Sequence, residues 1–260
     1  MSGESIYRWH GGELVDIDAC DTGVESIEVA DSWLVTDGSA RALGLHRERF
    51  LGSMPADTRA ATEAEQFWDA ARALIPRTGD WFPRVELRRG SDSERLIFRL
   101  RTAPVRHNNL VEATWLDADP RTVPRIKGPD LEAMTRMRTT AQARGATEAI
   151  ILTGDGYVVE DSHGGLLWWR GDILCGPPAD LDRVNSVTVR SVLALAAALG
   201  VETYAEAVTP GEIADTELWS LNALHGIRIV TRWIDGPPLA QLPGRLALWR
   251  ARLDALRKPI

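Results

Sequence analysis

Between residues 148 and 200 the chain sets down two turn-linked strand pairs and then a helix, an order that narrows the folds open to it more than any other feature. In "EAIILTGDGYVVED" two apolar runs flank Thr153-Gly154-Asp155-Gly156, which reads as a hairpin. "LLWWRGDILCGPP" is a second hairpin, and "SVTVRSVLALAAALG" is a helix with Val192, Leu195, Ala196 and Leu199 on one stripe and Gly200 as its stop. The flanks are made for a core, yet Glu160 ends the first hairpin beside Ser162, His163, Gly164 and Gly165. A carboxylate beside a core needs a partner.

Upstream, "SIEVADSWLVT" (residues 26–36) alternates as a strand does, and a Gly turn then leads to a helix carrying Leu43, Leu45 and Phe50. "ATEAEQFWDAARALIP" is an amphipathic helix that the sequence caps with Thr62 and Glu65 and ends at Pro76. Three strand-like runs follow, "WFPRVELRR", "RLIFRLRTA" and "LVEATWLD", whose mixed polarity fits an antiparallel sheet with one wet face. The stretch "DADPRTVPRIKGPD" holds three prolines and a glycine, and a domain boundary is placed near residue 120: 1–120 as a small N-terminal α/β domain, 121–260 as a larger C-terminal one. Beyond it, "LEAMTRMRTTAQARG" is a helix ending at Gly145.

With 260 residues, 44% of them hydrophobic, the chain can bury a sizeable core. Its 30 Lys+Arg stand against 37 Asp+Glu, a formal charge of -7, and no basic segment is interleaved with aromatics, which excludes a nucleic-acid platform. Neither a signal peptide nor a membrane-spanning run is legible, so the expectation is a soluble cytoplasmic protein. Cys20 and Cys175 lie outside any CxxC or Cys/His cluster; both read as core thiols, with no metal site. The ten tryptophans, Trp168 and Trp169 included, read as core and interface mass.

A lysine, a helix, a hairpin ending in glutamate, a second hairpin and a Ser/Thr-led helix follow one another in the chain. With "IKGPD", "GATEAIILTGDGYVVEDS", "ILCGPP", "VNSVT" and "NALHGI", that order resembles the fold-type IV pyridoxal-phosphate enzymes, the class IV aminotransferases and 4-amino-4-deoxychorismate lyases, over residues 34–240. The resemblance implies a mixed α+β, two-lobed protein whose larger C-terminal domain carries an antiparallel-rich, barrel-like sheet, with the cofactor between the lobes. It makes Lys127 the Schiff-base lysine for pyridoxal 5'-phosphate and Glu160 the partner of the pyridine nitrogen, where a buried carboxylate favours the protonated ring. Arg49, in "HRERF" three residues after His46, takes the position of the phosphate arginine. Ser186, Val187 and Thr188 offer the phosphate a helix N-terminus, Asn222 an amide, and His163 joins these cofactor-binding residues. Glu148 follows Lys127 by 21 residues (148 − 127), a spacing of the lyase-like branch.

The chain also departs from the family. Gly165 stands where Asn is usual, Asn185-Ser186 where Gly or Leu-Pro-Gly is, Val189 where Arg is, and Asp130 where Asn often follows the lysine. No ring-supporting Tyr follows, and "DTGVESIEVADSW" is far from the family's N-terminal element. The activity expected is transfer of an amino group from a small amino substrate by a homodimer that binds neither nucleic acid nor membrane. The alternatives are the lyase that eliminates pyruvate from 4-amino-4-deoxychorismate and a non-catalytic binding module.

Overall fold

A computed structural model describes residues 4–18, 25–56, 58–91 and 93–260. Cys20 lies outside them. The chain forms two compact units, one of residues 1–105, 126–129 and 256–260, the other of residues 106–125 and 130–255.

The first unit runs β1 (Ser5–His10), β2 (Glu13–Ile17), β3 (Ser26–Ser32), β4 (Val35–Thr36), β5 (Ser39–Arg41), α1 (Leu43–Gly52), α2 (Arg59–Leu74), β6 (Asp80–Trp81), β7 (Arg84–Arg89) and β8 (Glu94–Leu100). Its larger sheet has the order β2-β1-β8-β7-β3, antiparallel throughout. On α2, Ala60, Ala64, Phe67, Trp68 and Ala71 recur at helical spacing and are all buried, so the helix presents one apolar stripe to the core. Trp68 packs on Trp33 with ring centroids 4.7 Å apart. Truncating such a residue, Phe67→Ala for instance, costs about 3–5 kcal/mol. The helix begins four residues earlier than the Thr62-Glu65 pair suggests, because the Thr58 side chain accepts from the Ala61 N–H and is the cap.

The second unit runs β9 (Asn109–Thr114), α3 (Leu131–Ala143), β10 (Glu148–Leu152), β11 (Val158–Asp161), β12 (Gly165–Arg170), β13 (Ile173–Gly176), α4 (Val187–Ala198), β14 (Thr203–Ala205), β15 (Glu217–Asn222), β16 (Gly226–Ile234) and α5 (Arg245–Asp254). The last strand, β17 (Arg257–Pro259), returns to the first unit and pairs with β5. Eight strands form a curled half-barrel sheet in the order β11-β10-β9-β16-β15-β12-β13-β14. The hairpins β10–β11 and β12–β13 form where the sequence places them. The run containing β9 departs from expectation: it joins this sheet rather than that of β7 and β8, and it lies parallel to both β10 and β16.

Strands β10, β11, β12 and β15 are buried along nearly their whole length, so they carry few exposed positions, whereas the edge strand β14 is exposed. In β12, Leu166 and Trp168 point into one cluster with Cys175, the core thiol expected, and Leu167 and Trp169 into the cluster under α4 and α5. There Trp169, Trp219 and Trp249 meet edge to face at 5.4–5.8 Å. Among the described residues no helix is long and apolar enough to cross a membrane.

Candidate active site

In the first unit, His46 and Arg49 lie one helical turn apart on α1 and so reach the same neighbour, Asp31 on β3. Asp31 is fully buried. Its Oδ2 accepts from Arg49 Nε at 2.8 Å, and its Oδ1 meets Arg49 Nη2 at 2.9 Å and His46 Nδ1 at 2.7 Å. Burial alone would push this carboxyl up; the charges and hydrogen bonds of Arg49 and His46 more than reverse that and hold it well below the usual carboxylate range. His46 is pushed down, by burial above all, with Arg49 and Lys127 adding to the effect against the pull of Asp31.

Lys127 is clamped by its backbone to the same strand. The Ala30 N–H donates to the Lys127 carbonyl at 2.7 Å, and Gly128 follows at φ 145°, where a Cβ would stand 2.8 Å from Ala30 N. Only glycine permits that approach. Lys127 and Lys258 are moreover the only lysines among the 30 Lys+Arg of the chain.

In the second unit, Glu160 near the end of β11 does have a partner, and it is one the sequence did not disclose. Arg121 donates from Nη1 to Glu160 Oε1 at 2.5 Å and from Nε and Nη2 to Asp119, with the Arg121 side chain 4% exposed and that of Glu160 9%. Burial would lower Arg121; hydrogen bonds and charges of Asp119 and Glu160 raise it instead. The loop bearing Arg121 is fixed by Asp130, whose carboxylate accepts from Thr122 N and Oγ1 and from Val123 N at 2.8–2.9 Å.

Behind β11 lies a second polar group. Glu148 Oε2 accepts from Ser162 Oγ at 2.5 Å and faces His163 Nδ1 at 3.0 Å, while Arg138 and Arg228 approach its Oε1 at 3.4 and 3.7 Å. Burial would raise this carboxyl, but His163, Ser162 and Arg138 bring it down to about 2. Asp161 and Glu112, both enclosed, are pushed up by burial and by neighbouring carboxylates. Asp161 Oδ1 accepts from the His163 N–H at 2.8 Å and its Oδ2 from Ser220 Oγ at 2.5 Å.

The α4 N-terminus is capped by Ser186, whose Oγ accepts from Val189 N at 3.3 Å. The N–H groups of Val187 and Thr188 have no acceptor within a helix, and both residues are buried, at 3% and 6% exposure. A buried helix end of that kind is an anion seat. Two departures from the family meet here: a Cβ on Gly165 would lie 2.7 Å from Val189 Cγ2, so Val189 occupies the room that a side chain at 165 would need. Asn222 spends its Oδ1 on the His225 N–H at 2.8 Å, which closes the β15–β16 turn and leaves its amide NH2 as the donor.

The expected site residues thus fall into two groups: Lys127 and Arg49 in the first unit, with Asp31 and His46; Glu160, His163, Ser186, Val187, Thr188 and Asn222 in the second, with Arg121, Glu148 and Asp161. Asp31 had one signal, a charge inside an otherwise core-facing strand; Arg121 in its Pro-rich connection had none.

The Amino-transferase class IV family model matches residues 28–233. The chain belongs to the class IV aminotransferase family. It is accordingly a fold-type IV enzyme dependent on pyridoxal phosphate, and solved members share its fold. The branched-chain amino acid aminotransferase of Escherichia coli is 16% identical over 97% of this chain and 94% of its own, with a TM-score of 0.77. That of Thermobaculum terrenum, solved as a mutant, is 18% identical over 98% and 97%, TM-score 0.76. A hypothetical aminotransferase from Mycobacterium tuberculosis in its PLP-bound form is 18% identical over 98% of both chains, TM-score 0.74. Among curated proteins none matches.

Proposed function

We propose that this class IV family member is an aminotransferase acting on an amino acid or amine, with Lys127 as the lysine that carries the cofactor and moves the substrate proton. The observation that carries the reading is the retention and clamping of Lys127: arginine stands at nearly every other basic position, and the backbone around 127 is held against β3 by a contact that only Gly128 allows.

The residues present fit the cofactor. The buried first turn of α4 has N–H groups of Val187 and Thr188 for a phosphate, and Arg49, held in one orientation by Asp31, brings a planar fork. Glu160, locked in an ion pair under cover, would hold the proton on the pyridine nitrogen. When bound, pyridoxal phosphate supplies the electron sink for the pair left as the Cα–H bond breaks. Lys127 would be the group that takes the proton from substrate Cα and carries it onward, which is what separates transfer from simple deprotonation. A homodimer and a cytoplasmic location belong to the same reading.

The second reading, elimination of pyruvate from 4-amino-4-deoxychorismate, rests on the 21-residue interval from Lys127 to Glu148 and on the lack of a ring-supporting Tyr after the lysine. Mixing the holoenzyme, with no acceptor, with amino donors in one arm and with 4-amino-4-deoxychorismate in another separates the two. An aminotransferase yields keto acid in an amount equal to the enzyme and stops; a lyase releases pyruvate catalytically. Bound cofactor with neither product would indicate a binding module.

A further inference from the structure

We propose that a cavity of about 410 Å³ beside α4 is a binding site for a small organic carboxylate with an apolar body, distinct from the cofactor seat. The proposal goes beyond the aminotransferase reading and holds whichever reaction the protein catalyses.

The cavity lies within the second unit, between the first turns of α4, the start of β12, the 176–186 connection and the exposed edge strand β14. Its volume is within the roughly 300–1,000 Å³ of small-molecule sites. Ser186, which caps α4, and Val189, Arg190 and Leu193 on it recur at helical spacing, so one stripe of the helix turns towards the cavity. Gly165, Asn185, Ser186 and Val189, all departures from the family, line it, which ties the cavity to this chain rather than to the family's common site. Among the cofactor-binding residues proposed in this unit, only Ser186 reaches it.

The charge around it has one sign. Arg125, Arg183 and Arg190 line the cavity and, among the described residues, no carboxylate does, in a chain of net charge -7. Such a pocket concentrates anions. Arg183 is fixed by the carbonyls of Pro177, Pro178 and Leu181, to which its terminal nitrogens donate. Burial pushes its guanidinium down against the pull of Glu160 and Asp180, and the charge of Arg125 adds to the push. An anion brought alongside favours the charged form. Arg125 does meet Asp182, Nε to Oδ1 at 2.6 Å, but both side chains are mostly in solvent, where such a pair is worth little.

The rest of the wall is apolar: Leu167, Pro177, Leu181, Val184, Val189 and Leu193, with the ring of Tyr204 on β14. A carboxylate head suits the arginine forks, and an apolar body suits these walls. Inorganic phosphate would use the arginines alone. The cavity of about 610 Å³ beside Trp9 in the first unit is the contrast: Arg8 and Arg89 line it together with Glu63 and Glu94, so its charges are matched.

The test is 19F NMR of the holoenzyme with 4-fluorophenylacetate, which has no amino group to react. Wild type is expected to broaden the probe signal saturably. Arg190→Glu, which reverses one charge, should weaken binding roughly tenfold or more, and Leu193→Trp, which fills the cavity, should abolish it. Arg136→Glu, a charge reversal on the exposed side of α3, should leave binding within about twofold. An equal concentration of inorganic phosphate should displace little of the probe. Thermal melts show whether each variant is folded; should Leu193→Trp not fold, Arg190→Glu decides. Absence of saturable binding to wild type overturns the proposal, as does binding to Arg190→Glu equal to that of wild type. So does displacement by phosphate as complete as by unlabelled phenylacetate, which would leave an anion seat only.

Discussion

Arg49 reaches Asp31 through two of its donors, Nε to Oδ2 at 2.8 Å and Nη2 to Oδ1 at 2.9 Å, and the carboxylate that receives them is fully buried. An arginine so held has little conformational freedom left to lose on meeting a phosphate. Arg49→Ala should raise the cofactor dissociation constant roughly ten- to a hundredfold, against about two- to tenfold for Thr188→Val, which removes one neutral hydroxyl. Cofactor titrations check the order. Arg49→Ala also leaves buried Asp31 with His46 as its remaining cationic-capable neighbour, a loss of about 3 kcal/mol of stability that the double variant Asp31→Asn/Arg49→Ala should partly restore in denaturant melts.

Glu160→Ala should leave the cofactor bound and lower turnover by several orders of magnitude, because a neutral pyridine is a poorer electron sink; Glu160→Asp should be milder. Arg121→Met instead removes the Glu160 ion pair and should destabilise the cofactor-free protein by about 3 kcal/mol. Saturating pyridoxal phosphate should narrow that gap, since a protonated ring nitrogen would give the carboxylate another cationic partner. Thermal melts with and without cofactor measure it.

The carboxylates behind β11 respond to pH in opposite directions. Glu148, held at about 2 against an ordinary 4.5, stabilises the fold fully above 4.5, and that contribution is lost as the pH falls toward 2. The gap in melting temperature between wild type and Glu148→Gln should therefore close between pH 5 and about pH 2. Glu112 is raised well above 4.5, chiefly by burial and then by Asp161 and Glu148, so what it contributes is present below 4.5 and lost as the pH rises through its folded value. Both of its oxygens are buried without a hydrogen-bond partner. Glu112→Gln, neutral and of the same shape, should melt higher than wild type at pH 8 and by a smaller margin at pH 5.

What could be read from the sequence was local. The β10–β11 and β12–β13 hairpins, α3 and α4 each announce themselves through turn residues and periodicity within fifteen residues or so. The direction of β9 did not, because its partner β16 lies over a hundred residues away and polarity carries no sign of parallel pairing. Thr62 with Glu65 satisfied the capping pattern as well as Thr58 did, and only the geometry of the entering chain decides between them. Among the proposed site residues, Lys127 and Glu160 were visible through the order of elements around them. Asp31 showed only as a charge inside a core-facing strand, and Arg121 not at all: each acts by holding another side chain, and such a partner is chosen by three-dimensional proximity.

The account stands most directly on Lys127. Borohydride reduction of the protein saturated with pyridoxal phosphate, followed by peptide mass spectrometry, should place the reduced adduct on Lys127, and Lys127→Ala should lose both the adduct and the near-visible absorption band. The chain offers one other lysine, the exposed Lys258 on β17, so the outcome is nearly binary. An adduct confined to Lys258, or a band and adduct that survive in Lys127→Ala, would contradict the assignment.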